Sequence, residues 1–126
     1  MSGYSFEGLE VYKAARDFRK KNYQLIKRLP VEEKHNLVGQ MRRAATSLTN
    51  NIAEGHGRFH YQENIQFLRQ ARGSLDELPD DLNTCLDERY VPIPEIDILK
   101  KDGFELLHQI NGYVAYLRKR EQMDES

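Results

Sequence analysis

Apolar residues recur along this chain at spacings of three and four, in four separate stretches. In the stretch Leu37–Arg58 (LVGQMRRAATSLTNNIAEGHGR), Leu37, Met41, Ala44, Ala45, Leu48 and Ile52 fall on one side of a helix. A different side carries an ordered polar stripe of Arg43, Ser47, Asn50, Asn51, Glu54 and, if the helix extends so far, Arg58. Such a helix serves two contacts: a core on one side, and on the other a hydrogen-bonded seam or a functional surface. The Gly55-His56-Gly57 run predicts its stop, because glycine tolerates the left-handed residue that a helix end favours.

The remaining stripes predict three more helices. The first spans about residues 7–29, with Ser5 as N-cap, an apolar stripe through Val11, Ala15, Phe18, Leu25, Ile26 and Leu29, and Pro30 as its stop. The second, which contains the stretch above, spans about 32–54. Gly39 lies inside it, and a close helix–helix approach would account for that glycine. The third spans about 61–89 on Ile65, Leu68, Ala71, Leu75, Leu78, Leu82 and Leu86. Pro79 interrupts its pattern and predicts a kink or a break there; the apolar spacing continues beyond it, which favours the kink. After Val91-Pro92-Ile93-Pro94 the fourth spans about 94–120, followed by a tail, Met123–Ser126, expected to fray. Four long helices with short links predict an all-α, antiparallel up-down-up-down four-helix bundle, one domain over residues 1–126.

Composition fits this picture and limits the chemistry. The 126 residues are 39% hydrophobic and 31% charged, as expected of amphipathic helices. A lone Cys85 makes no internal disulfide and reads as a small buried hydrophobe. No apolar run reaches the roughly 20 residues of a membrane span, and the start MSGYSFEGLEVY lacks the pattern of a secretion signal, so a cytoplasmic location is expected. The net charge of −1 hides an asymmetry. Residues 1–50 carry ten Lys/Arg against five Asp/Glu, whereas residues 76–126 carry six against thirteen. Opposed halves of this kind pair inside the fold or between copies, or they leave a basic face for nucleic acid.

Candidate sites were weighed on that basis. His56 and His60 are four apart near Glu54, but Gly55 and Gly57 place them in a loop and argue against a shared metal. Thr46, Ser47 and Thr49 stand mid-helix without a nucleophile elbow, and no phosphate-binding glycine loop, dinucleotide fingerprint or zinc set occurs. No enzymatic activity, cofactor, metal or small-molecule substrate is therefore expected. The remaining charged and polar residues, Arg42, Arg43, Asn51, Glu54, Arg58, Arg72 and Glu77, predict a network between the second and third helices, with Arg43 and Arg72 on Glu54 and Glu77. The alternative turns Arg42, Arg43 and Arg58 toward phosphates, together with Arg16, Arg19, Lys20, Lys21, Lys27 and Arg28 of the first helix.

Three segments carry a resemblance. FEGLEVYKAARDF (Phe6–Phe18), QMRRAATSLTNNIAEGHGR (Gln40–Arg58) and FLRQARGSLDEL (Phe67–Leu78) resemble the four-helix-bundle proteins encoded in intervening sequences of bacterial 23S ribosomal RNA genes. The similarity runs from Tyr4 to about Arg120; Thr49 stands where a proline is common in the family, and Pro79 is unusual. The resemblance implies a homopentameric ring. Through a related branch, the accessory variability protein of diversity-generating retroelements, it also implies binding to nucleic acid or to a reverse transcriptase. It marks Arg42, Arg43, Asn51, Glu54, Gly55, Gly57, Arg58, Arg72, Gly73, Ser74 and Glu77 as a fold and assembly signature. The expected function is a non-enzymatic homo-oligomeric scaffold that binds RNA or a nucleic-acid enzyme; the alternative is a purely protein-binding or structural ring.

Overall fold

Four helices form where the apolar spacing places them. A computed structural model describes residues 4–125, with α1 at Glu10–Ile26, α2 at Leu37–His56, α3 at Tyr61–Asp87 and α4 at Ile93–Glu125. α1 packs on α2 and α4, and α3 packs on the same two, so each helix has two neighbours around a square. Short connections make consecutive helices antiparallel, the up-down arrangement of a four-helix bundle. The interior is continuous: Phe18, Met41, Leu48, Ile52, Leu68, Leu78, Ile96 and Ile110 are all buried. α2 and α3 make the closest pair, and small residues lie at their contact: Ser47 bonds Ser74, and Gly55 lies against Asn64 and Phe67.

The helix ends depart from the expected ones in instructive ways. Ser5 caps nothing: Ser5–Gly8 is a separate 3-10 turn, Leu9 is extended, and α1 starts only at Glu10. Edge-on packing of Phe6 on Tyr12, with centroids 4.9 Å apart, folds that turn back on the helix. α1 ends at Ile26, and the bonds Arg28 N–H to Leu25 O and Leu29 N–H to Ile26 O tighten the chain before Pro30. Glu32 and Glu33 belong to a second 3-10 turn, and α2 begins at Leu37.

The Gly55-His56-Gly57 stop does not use a left-handed residue. Gly55 and His56 are helical, and Gly57 has φ −77°. The left-handed stop falls on Arg89 after α3, at φ 60°, where Tyr90 N–H reaches back to Cys85 O at 2.9 Å. Gly39 also differs from expectation: a Cβ there would meet only the Arg43 guanidinium of its own helix, at 3.1 Å. The glycines that admit a neighbouring helix are Gly103 of α4, against the Phe18 ring at 3.2 Å, and Gly55 of α2, against Asn64 and Phe67 of α3.

α3 runs unbroken through Pro79, which excludes the break. Pro79 itself is exposed, while Leu75, Leu78 and Leu82 on either side are buried, so core packing spans the missing hydrogen bond. α4 continues to Glu125 and does not fray from Met123. The Tyr61 hydroxyl donates to Asp124 at 2.6 Å, and the Gln62 amide donates to Glu121 at 2.6 Å, tying this end to the start of α3. Ser126, the last residue of the expected tail, lies outside the described residues. No helix among the described residues is long and apolar enough to cross a membrane.

Candidate nucleic-acid interface

The cations of α1 divide into two sets by the side of the helix they occupy. Arg16, Lys20 and Lys27, at i, i+4 and i+11, fall within about 40° of one another on a 3.6-residue helix. All three are exposed, and none has an acidic partner within 4 Å among the described residues. Lys21 and Arg28 point the other way, toward α4. Lys21 Nζ meets Asp102 at 2.8 Å and Asp17 at 3.7 Å. Arg28 forks onto the Glu95 carboxylate, with Nη1 to Oε1 at 3.0 Å. The hydrogen bond from Arg28 holds the Glu95 carboxyl below its ordinary range, and the one that Lys21 donates to Asp102 raises the Lys21 ammonium. These two pairs are where the basic and acidic halves of the chain compensate each other inside the fold. Arg19 turns inward instead and donates to Thr49 Oγ1 on α2 at 2.7 Å.

The network expected between α2 and α3 forms differently. Glu54 pairs with Arg58 one turn on, at 3.1 Å, and Arg58 also approaches Glu63 at 4.0 Å and covers the Phe67 ring at 4.8 Å. Arg58 is thus a clamp over the α2–α3 corner. Arg72 reaches the other way, to Asn111 of α4 at 2.8 Å. Asn51 donates back to Ser47 O and Oγ, at 2.8 and 3.0 Å, on its own helix. What joins α2 to α3 is a hydroxyl pair, Ser74 donating to Ser47 at 2.9 Å. Arg43 and Glu77 reach neither Glu54 nor Arg72: the arginine lies back over Gly39, and both line one open trough.

That trough, of 750 Å³, runs along α2 between α1 and α3, with Asn50, Ser47 and Ser74 on its floor and walls. Its α1 side is Tyr23, whose hydroxyl shares a hydrogen bond with Thr46 and whose ring carries the Arg42 guanidinium at 4.8 Å. Across Tyr23 and Thr46 it continues into a smaller hollow of 320 Å³ bordered by Arg19, Lys20 and Lys27. Arg16, Lys20, Lys27, Arg42 and Arg43 therefore share one face built from two helices. Sequence spacing alone missed Tyr23 as the hinge of this face; its only signal was its place off the main apolar stripe of α1.

The other sequence candidates sit apart. His56 ends α2 with Nε2 3.1 Å from Ser5 Oγ, and His60 stands edge-on to Phe59. Cys85 is buried, 4.0 Å from the Met41 sulfur, and burial pushes its thiol up to about 11. No group of three His, Cys, Asp or Glu suited to a metal occurs among the described residues.

Fold and face together define an all-α four-helix bundle that presents a broad basic surface lined by amides and hydroxyls. The family model of the 23S rRNA-intervening sequence protein matches residues 7–112. With most of its length matched, the chain belongs to that family. No individually curated protein matches it.

Proposed function

We propose that the protein is a non-enzymatic helical scaffold that binds RNA through the α1–α2 face and works as a homo-oligomer, a homopentameric ring. One observation carries this: Arg16, Lys20, Lys27, Arg42 and Arg43 gather on one face without acidic partners, whereas Lys21, Arg28 and Arg58 are paired elsewhere. Cations that a fold leaves uncompensated on one surface suit a phosphate backbone. The family's name refers to insertions in 23S rRNA, which makes ribosomal RNA the first ligand to test. Repetition of the face around an oligomer would raise a modest affinity by multivalency.

Titration of structured ribosomal RNA tests the reading. About five phosphate contacts per protomer predict an affinity loss of about 10²–10³ between about 50 and 200 mM salt. Absence of binding at low salt, or binding indifferent to salt, overturns it.

A second reading, a ring that binds only protein, is favoured by α4, whose Ile98, Phe104, Tyr116 and Met123 are large, apolar and more than half exposed. In that case no RNA is retained at low salt, and charge reversal at Lys20 changes only solution mass or capture of a protein partner.

A further inference from the structure

We infer that the trough between α1, α2 and α3 takes an unpaired nucleobase, so that this face selects looped or single-stranded RNA over duplex. The inference rests on the RNA reading above and adds the substrate class.

A surface meant only for phosphates uses cations, amides and hydroxyls, and has no use for a carboxylate. This one contains a carboxylate among its cations. Glu77 repels phosphate, yet it stands in the trough with no cation within 4 Å among the described residues. A carboxylate accepts hydrogen bonds from the exocyclic amines of bases. Asn50 is exposed, lines the same trough and offers a donor and an acceptor together, the pair that matches adenine. Ser47 and Ser74 supply adaptable hydroxyls on the floor.

Arg42 supplies the stacking surface. One side of its guanidinium is over Tyr23, and the residue is exposed, so its outer side is open to a base. The trough volume of 750 Å³ lies within the range of about 300–1,000 Å³ typical of small-ligand sites. Ser47 and Ser74 are short and half-buried where α2 meets α3. A base held in an A-form duplex keeps its edge in pairing or in a deep, narrow groove, so only a splayed base reaches them. Lys20 and Lys27, across Tyr23, would hold the adjoining backbone.

The experiment compares the full-length protein on a hairpin with an unpaired loop and on a blunt duplex of the same nucleotide count, at one salt concentration. The hairpin is expected to bind about tenfold more tightly. Glu77→Ala makes the decisive variant: it removes the charge and the acceptor oxygens together, so the two accounts give opposite signs. On a phosphate-only surface, loss of a negative charge strengthens both RNAs. In a base-reading trough it weakens the hairpin to the level of the duplex, while the duplex stays the same or tightens. Asn50→Ala, another exposed position, lowers hairpin binding in the same way. Equal affinities in the unmodified protein, or a hairpin tightened by Glu77→Ala, overturn the base site and leave the phosphate reading standing. A change in solution mass with RNA discrimination intact assigns the trough to contact between copies and also overturns it. Failure to retain either RNA at low salt overturns both readings.

Discussion

Gly55 and Asn64 face each other across the α2–α3 corner with no room for a methyl group between them. A Cβ on Gly55 would stand 2.8 Å from Asn64 Oδ1 and 2.8 Å from Phe67 Cβ, both inside van der Waals contact. Helix propensity alone says that alanine at this helical position gains about 1 kcal/mol. Overlap with a packed neighbour reverses the sign, so Gly55→Ala is expected to cost about 1–3 kcal/mol as α2 and α3 are pushed apart. Gly73, in α3 with nothing within 4 Å of its Cβ position, is the control: Gly73→Ala is expected to stabilise by about 1 kcal/mol. Urea denaturation of both variants reads the two signs directly.

The partition of the α1 cations gives a second test. Lys20 and Lys27 border the open face, while Lys21 is engaged by Asp102. Lys20→Ala and Lys27→Ala should each weaken RNA binding and lower the salt slope by about 1. Lys21→Ala should leave the slope unchanged. Equal slopes for all three variants would show that α1 is not the binding side.

The bundle was legible in the sequence because its code is local. Leu37, Met41, Leu48 and Ile52 announce a helix whatever their neighbours, and all four are buried. The ends were less legible, since competing local bonds decide them: the turn at Ser5–Gly8 and the glycine-free stop at Arg89 leave no sharp residue signature. Side-chain pairing was least legible. Arg43, Arg72, Glu54 and Glu77 are complementary in charge, but which of them meet depends on the offset between α2 and α3. That offset is fixed by Gly55, Ser47 and Ser74, residues whose importance appears only when two helices are placed together. Pro79 shows the converse case, a strong local signal for interruption overridden by buried leucines on both sides.

Arg89 holds a left-handed conformation, φ 60°, at the stop of α3. Its Cβ crowds the backbone in this region, which glycine avoids. Arg89→Gly is therefore expected to raise stability by about 1 kcal/mol, seen as a higher urea midpoint at unchanged slope. Arg89→Val, branched at Cβ, should lower it. Loss of stability in the glycine variant would mean that the Arg89 side chain contributes more than its backbone costs.

Asp81 makes stability depend on pH in a direction opposite to most carboxylates. It is partly buried on α3, and burial, followed by the charges of Asp80 and Glu77, pushes its carboxyl up to about 6 from an ordinary 3.8. The folded chain thus binds a proton between these values that the unfolded chain does not. Stability falls as pH rises through that window, and the penalty is complete above the folded value. Asp81→Asn removes the ionisation, so the variant should exceed the parent above pH 6 by on the order of 1 kcal/mol, once solvent screening is allowed for. The difference should shrink toward zero below about pH 3.8, where Asp81 is protonated in the unfolded state as well as in the folded one. Thermal melts of the two proteins across that range check it, and a difference that does not vary with pH would trace the effect to packing of the amide instead of to charge. Glu77→Gln should make the fall shallower and complete at lower pH, because it removes one of the two charges that raise Asp81 in the folded state, and this links the acidic stretch of α3 to the edge of the α2 trough.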